Sequence, residues 1–330
     1  MPMDVETYRA LGLDQPTPDE VNGRSNRDVL TALNHQDDLS YSVCEEATAD
    51  VGTRGTYHKF EAWQSQQCYP GTERNIGVYV PRMDGPQADK SNVDRPVTDR
   101  PGTDRDDHLN LIVFNDGAGY ASLSGQIRAT RVLDTLIANG ELQPTVGVFI
   151  NPGVPSGDDN PSASTEYTPA MVQRSFEYDS LTPHYGKFLL EEVLPFVTDE
   201  LDLQLSQDPR DRAVCGISSG GICAFSVAWF HTESFQRVIS HCGSYTNIRG
   251  GHNYPYLVQT TPRKPLRVYL QSGQHDAQTL FGHWPTANMA MAEALSYAGY
   301  DYRFEFGQGG HSLRHGGSCF ADTLRWLFEE

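Results

Sequence analysis

The chain has 330 residues, 38% of them apolar and 21% charged, a balance that excludes disorder and membrane embedding and can fill one large core or two ordinary ones. A formal net charge of -18 excludes nucleic acid and anionic membrane as partners, because phosphate recognition needs a basic field, and leaves small neutral substrates open. Lysine occurs only at Lys59, Lys90, Lys187 and Lys264, an acidic balance met both in proteins of saline surroundings and in Arg-rich products of GC-rich genomes.

In chain order, Met1 to Leu11 lack a basic flank followed by an apolar run, so no secretory signal is expected and cytoplasmic residence is the default. Residues 1–55 are polar and weakly periodic and read as an arm wrapping the core of a single domain at 56–330. Two alternating strands, Tyr57–Trp63 and Asn75–Val80, joined across Pro70-Gly71, open the sheet. Residues 82–108 hold Asp94-Arg95-Pro96, Asp99-Arg100-Pro101 and Asp104-Arg105-Asp106, an acidic surface insertion.

Short, mostly continuous apolar runs then predict strands at Leu109–Phe114, Val146–Ile150, Ala213–Cys215, Arg237–His241, Leu266–Leu270 and Tyr302–Phe306. Helical patterns fall between or after them at Leu123–Asn139, His184–Leu201, Gly220–Phe230, Ala287–Ala298 and Phe320–Phe328. Residues 154–177, rich in Ser, Pro, Asp and Gly, read as a loop that could form one wall or lid of a pocket. The alternation predicts an α/β fold, a mostly parallel central sheet with helices on both faces in a three-layer sandwich. In such sheets the loops at the carboxyl ends of the strands build the site.

One such loop is Gly216-Ile217-Ser218-Ser219-Gly220, set between an apolar strand and a helix. Its glycines allow the strained turn that exposes a serine hydroxyl above a sheet. The following helix offers the Ser219 N–H at its positive end for an oxyanion. A serine nucleophile needs a histidine base, and the base needs a carboxylate to fix its tautomer. Asp276 follows the Leu266–Leu270 strand and His311 follows the Tyr302–Phe306 strand, giving the chain order Ser, Asp, His. The loop Asn115-Asp116-Gly117-Ala118-Gly119-Tyr120 should supply a second oxyanion donor, from Gly117 or Ala118.

His275, His315 and His241 are competitors for the base, and Asp301 lies at the wrong end of its strand to reach it. A metal site from His275, His283, His311 and His315 lacks ligand spacing, and the six scattered cysteines suit neither zinc nor a disulfide scaffold. No cofactor or metal is expected. Trp284 and Tyr178, with Glu177 and Tyr120 on the same expected face, either hold a sugar or aromatic acyl group or pack the loops.

Several runs together resemble the enterochelin-esterase-like branch of the esterase D superfamily. They are Glu177-Tyr-Asp-Ser-Leu with Glu191-Glu-Val-Leu-Pro, Gly216-Ile-Ser-Ser-Gly-Gly, Ser244-Tyr-Thr-Asn-Ile-Arg-Gly-Gly251, and Trp284-Pro through Ala298-Gly-Tyr-Asp to Gly309-Gly-His311. The resemblance covers roughly residues 55–330. It implies an α/β-hydrolase fold, cofactor-free hydrolysis of a small or medium carboxylic ester of the acyl or feruloyl sugar or aryl type, and the Ser218, Asp276, His311 triad. Enterochelin esterases proper carry an N-terminal β-sandwich, which about 55 polar residues cannot make, so siderophore hydrolysis is not expected. Acyl transfer or lactone opening by the same triad stays open, as does a catalytically silent glycan- or siderophore-binding protein. A homodimer is allowed by the sequence and not specified by it.

Overall fold

The computed structural model describes residues 40–52, 54–82, 108–156 and 169–329, together with a two-residue ladder pairing Glu20–Val21 with Arg24–Ser25. Most of the polar arm, the acidic insertion apart from its two ends, and residues 157–168 of the expected lid lie outside the described residues.

Eight strands carry the sheet: β1 (Thr56–Gln64), β2 (Thr72–Val80), β3 (Asn110–Asn115), β4 (Thr145–Ile150), β5 (Arg212–Ile217), β6 (Arg237–His241), β7 (Arg267–His275) and β8 (Asp301–Gly310). Val154–Pro155 adds a ninth, short strand beside β2. The spatial order is β1-β2-β4-β3-β5-β6-β7-β8. β2 runs antiparallel to β1 and β4, and the remaining neighbours are parallel. The chain reverses its direction of winding between β3, β4 and β5, so a crevice opens at the carboxyl ends of β3 and β5.

Nine helices cover the faces among the described residues: α1 (Gly117–Ala121), α2 (Ala129–Ala138), α3 (Pro169–Asp179), α4 (His184 to Leu201, through a π turn at Leu189–Val193), α5 (Ser219–Phe230), α6 (Tyr254–Thr260), α7 (Trp284–Tyr297), α8 (Leu313–Ser318) and α9 (Phe320–Phe328). Because successive strand residues point to opposite faces, the core divides in two. Val113, Val148, Val214, Val238 and Val268 pack under Phe188, Phe225, Met291 and Leu295 of α4, α5 and α7. Ile112, Phe114, Ala213, Ile239 and Tyr269 pack under Leu133, Leu136, Phe320 and Leu324 of α2 and α9. This is the three-layer sandwich, with a mainly parallel sheet, of the α/β-hydrolase fold.

All eight expected strands form, and β7 and β8 run several residues further than their apolar runs. The helix expected at Leu123–Asn139 begins only at Ala129, because Arg128 takes a left-handed conformation (φ 55°). Residues 154–177 are not all loop, since Pro169 onward is helix α3. No helix of the described residues is long and apolar enough to cross a membrane.

Candidate active site

Ser218 sits between β5 and α5 at φ 59° and ψ -122°, a conformation costly for a residue with a Cβ. The surrounding structure holds it there: the Ser218 N–H donates to His241 O (2.9 Å), and Ser218 O accepts from Gly221, Ile222 and Ser244 N–H. The turn is so tight that a Cβ on Gly216 would lie 2.2 Å from Gly220 O, which explains the first glycine of the motif.

Three loops converge on the serine. Its Oγ lies 2.9 Å from His311 Nε2, and His311 Nδ1 lies 2.6 Å from Asp276 Oδ1. The extensions of β7 and β8 bring these two together. A Cβ on Gly273 would meet Gly309 O at 2.2 Å, so that close approach also depends on a glycine. Asp276 is saturated with donors: Ala277 N–H reaches Oδ1 at 2.7 Å and Ser272 Oγ reaches Oδ2 at 2.5 Å. Its side chain is buried, whereas His311 keeps 14% exposure at the mouth of the site. The Trp284 ring stands edge-on to His311 at 5.7 Å, and its Nε1 donates to Ser244 Oγ (3.2 Å), which in turn lies 3.2 Å from Ser218 Oγ.

The oxyanion candidates differ from one another. Ser219 opens α5, so its N–H has no intrahelical acceptor and faces the positive end of the helix. Gly117 opens α1 and packs so closely on the Phe149 and Ile150 backbone that a Cβ would lie 2.3 Å away. The Ala118 N–H donates to Asn151 Oδ1 at 3.0 Å, so an oxyanion would have to displace that amide oxygen.

The side chains expected to meet substrate are placed inside the protein instead. Tyr178 is fully buried, its hydroxyl accepting from Asp116 N–H at 3.2 Å. Glu177 forms a bidentate pair with Arg74 (2.7 and 3.0 Å), both side chains wholly buried. Tyr120 is fully buried and shares a 2.8 Å hydrogen bond with His241 Nδ1. Trp284, 3% exposed, supports His311 from within. The reason is helical: α3 (Glu177, Tyr178), α1 (Tyr120) and the start of α7 (Trp284) turn these side chains toward the core, where sequence position alone places them on loops.

The competing histidines are engaged elsewhere. Burial pushes His241 down to about 3, keeping it neutral. His275 Nδ1 pairs with Gln308 O, His283 Nδ1 with Thr286, and His315 Nδ1 with Gln271 while its ring stacks on Tyr41. Asp301 pairs with Arg267 at the far end of the sheet. Among the described residues one set of metal-type donors gathers within 4.8 Å, Cys242 with Asp276 and His311, and it differs from the four-histidine set considered from sequence. Asp276 and His311 are already bonded to one another, so an ion there would have to break their contact.

Sequence reasoning gave no role to Ser244, Ser272 or the charged group beside the serine. That group comprises Arg174, bidentate on Asp116 (2.9 and 2.7 Å), and the buried carboxylate of Asp179, which feels the Arg174 charge. Ser244 stood in a motif that carried the family resemblance, which was the available signal; Ser272 had none beyond its place four residues before Asp276.

Several solved structures share the fold. The enterobactin esterase of Shigella flexneri superposes with a TM-score of 0.58 at 18% identity, over 88% of this chain and 61% of that one. A ferulic acid esterase gives 0.58 at 16%, over 84% and 99%, and the S-formylglutathione hydrolase of Staphylococcus aureus 0.51 at 13%, over 84% and 100%. The chain thus spans about three fifths of the length of the enterobactin esterases it matches. A comparison with curated proteins finds no match. The sequence does match the family described as "Putative esterase" over residues 96–327, most of its length, and the chain belongs to that esterase family.

Proposed function

We propose that the protein is a serine carboxylic ester hydrolase acting through an acyl-enzyme. The observation that supports this most is the unbroken contact series Ser218 Oγ, His311 Nε2, His311 Nδ1, Asp276 Oδ1, at 2.9 and 2.6 Å. In this reading His311 takes the Ser218 proton, Ser218 attacks the ester carbonyl, and the N–H of Ser219 with that of Gly117 or Ala118 holds the oxyanion. His311 then protonates the leaving alcohol. A water, deprotonated by His311, releases the acid and restores Ser218. Asp276 holds the imidazole tautomer and stabilises its charge. Each oxyanion donor contributes about 3 kcal/mol to the transition state.

The substrate class proposed is a small or medium ester with an aryl or acyl-sugar alcohol or a feruloyl-type acid. The fold shared with a ferulic acid esterase over almost its whole length makes aromatic acyl esters the first to try. Ser218→Ala is expected to lower turnover of p-nitrophenyl acetate by at least about 10⁴-fold and to abolish labelling by a fluorophosphonate. A Ser218→Ala protein that still turns over the ester would remove the assignment.

A further inference from the structure

The hydroxyl of Ser244 has two partners among the described residues, Trp284 Nε1 and Ser218 Oγ, each at 3.2 Å. An indole N–H can only donate, so Ser244 Oγ accepts from Trp284. The Ser244 proton is then left with one acceptor, Ser218 Oγ. The reverse arrangement, with Ser218 donating to Ser244, would strand a hydroxyl proton in a fully buried position, and buried unpaired donors are costly. The direction of the chain is therefore fixed: Trp284 to Ser244, Ser244 to Ser218, and Ser218 to His311.

We propose that Ser244 is a positioning residue that, oriented by Trp284, aims the Ser218 proton at His311 and donates to Ser218 Oγ as the alkoxide forms. This rests on the reading of Ser218 as nucleophile. The Ser218 proton passes to His311 Nε2, and Ser244 keeps its own proton throughout. As the Ser218 O–H bond breaks, negative charge grows on Oγ and the bond from Ser244 becomes charge-assisted. Once the acyl ester has formed, Oγ is a weak acceptor and the bond relaxes. The contact is thus strongest in the transition state and acts on kcat rather than KM. The backbone is built to hold it: Ser244 N–H donates to Ser218 O (3.1 Å), and Asn288 Nδ2 of α7 ties Gly243 O (2.9 Å) to Trp284 O (3.0 Å).

A double-mutant cycle tests the proposal, read by the second-order rate of fluorophosphonate labelling and by kcat and KM for p-nitrophenyl acetate. Ser244→Ala is expected to slow labelling and kcat by about 10- to 100-fold with KM unchanged. Trp284→Phe keeps a ring against His311 but frees Ser244 to turn. It should cost about 3- to 10-fold in the wild-type background and nothing further in Ser244→Ala. Wild-type labelling rates in Ser244→Ala, or losses that multiply in the double variant, would overturn the positioning role while leaving the nucleophile in place. A wild-type protein that is not labelled at Ser218 would instead remove the nucleophile on which it rests. Should Ser244→Ala not fold, Trp284→Phe alone decides through its labelling rate.

Discussion

The carboxylate of Asp179 is a poor tenant of its position, and the consequence is a pH dependence of stability. It ends α3, where the helix dipole is negative, and is 2% exposed. Burial pushes its carboxyl from the ordinary 3.8 up to about 6, against the pull of the Arg174 guanidinium and of the Ser219 and Ser175 hydroxyls. The folded state therefore holds a proton that the unfolded chain has released between about pH 4 and pH 6. Stability falls as pH rises through that window, and the penalty is complete above it. Asp179→Asn should stabilise the protein by up to about 3 kcal/mol at pH 8 and by almost nothing at pH 4, read from urea unfolding at the two pH values. An equal gain at both would show that the charge is not the cause. At this scale the sequence was informative where chemistry fixes order along the chain, as for Ser218, Asp276 and His311. It was silent where the partner is distant: Ser244 meets Trp284 40 residues on, and no local pattern marks that pair.

Helix α3 illustrates the same limit one level up. Its polar sequence, with Gln173, Arg174, Glu177 and Asp179, gives no clean apolar stripe and reads as the end of a loop. What holds it are contacts 58 and 103 residues away: Arg174 on Asp116 after β3, and Glu177 on Arg74 of β2. The strands, by contrast, were legible because β3 to β7 lie between two helical layers and need nearly continuous apolar runs. The buried pair predicts an asymmetric mutational response. Glu177→Gln leaves the Arg74 charge uncompensated, with its guanidinium 4.5 Å over the Phe188 ring, and should cost about 3–5 kcal/mol. Replacing both partners, as in Arg74→Met with Glu177→Leu, should cost clearly less than Glu177→Gln alone, because no charge is stranded. Denaturant midpoints of the three proteins check this, and a double variant less stable than Glu177→Gln would contradict the account. Since α3 also braces Asp116 beside Gly117, the same loss should loosen the loop from which an oxyanion donor is proposed.

Over the whole molecule the charge is the property that packing does not absorb. Carboxylates outnumber basic side chains 43 to 25, and on 16115 Å² of surface the excess amounts to one net charge per roughly 900 Å², a spacing of about 30 Å. That spacing equals the screening length at about 0.01 M salt and is several times the 8 Å that holds at about 0.15 M. In dilute buffer the net charges therefore repel one another across the folded surface, more than in the expanded chain, and salt relieves this. Local pairs respond in the opposite sense. Arg325 joins Glu46, Glu141 and Asp322 at 2.5, 2.5 and 2.7 Å, linking the N-terminal segment to α9, but it is one-third exposed and each such contact contributes at most about 1 kcal/mol. With 18 uncompensated charges against a few exposed pairs, repulsion should win, so the midpoint of thermal unfolding is expected to rise between 0.01 and 0.15 M sodium chloride. What happens beyond that separates the two origins of the composition. Simple screening is complete by then and predicts a plateau, whereas a surface adapted to saline surroundings should go on gaining stability into molar salt. Stability that falls from the first addition of salt would refute both, and would mean that the paired charges outweigh the net charge.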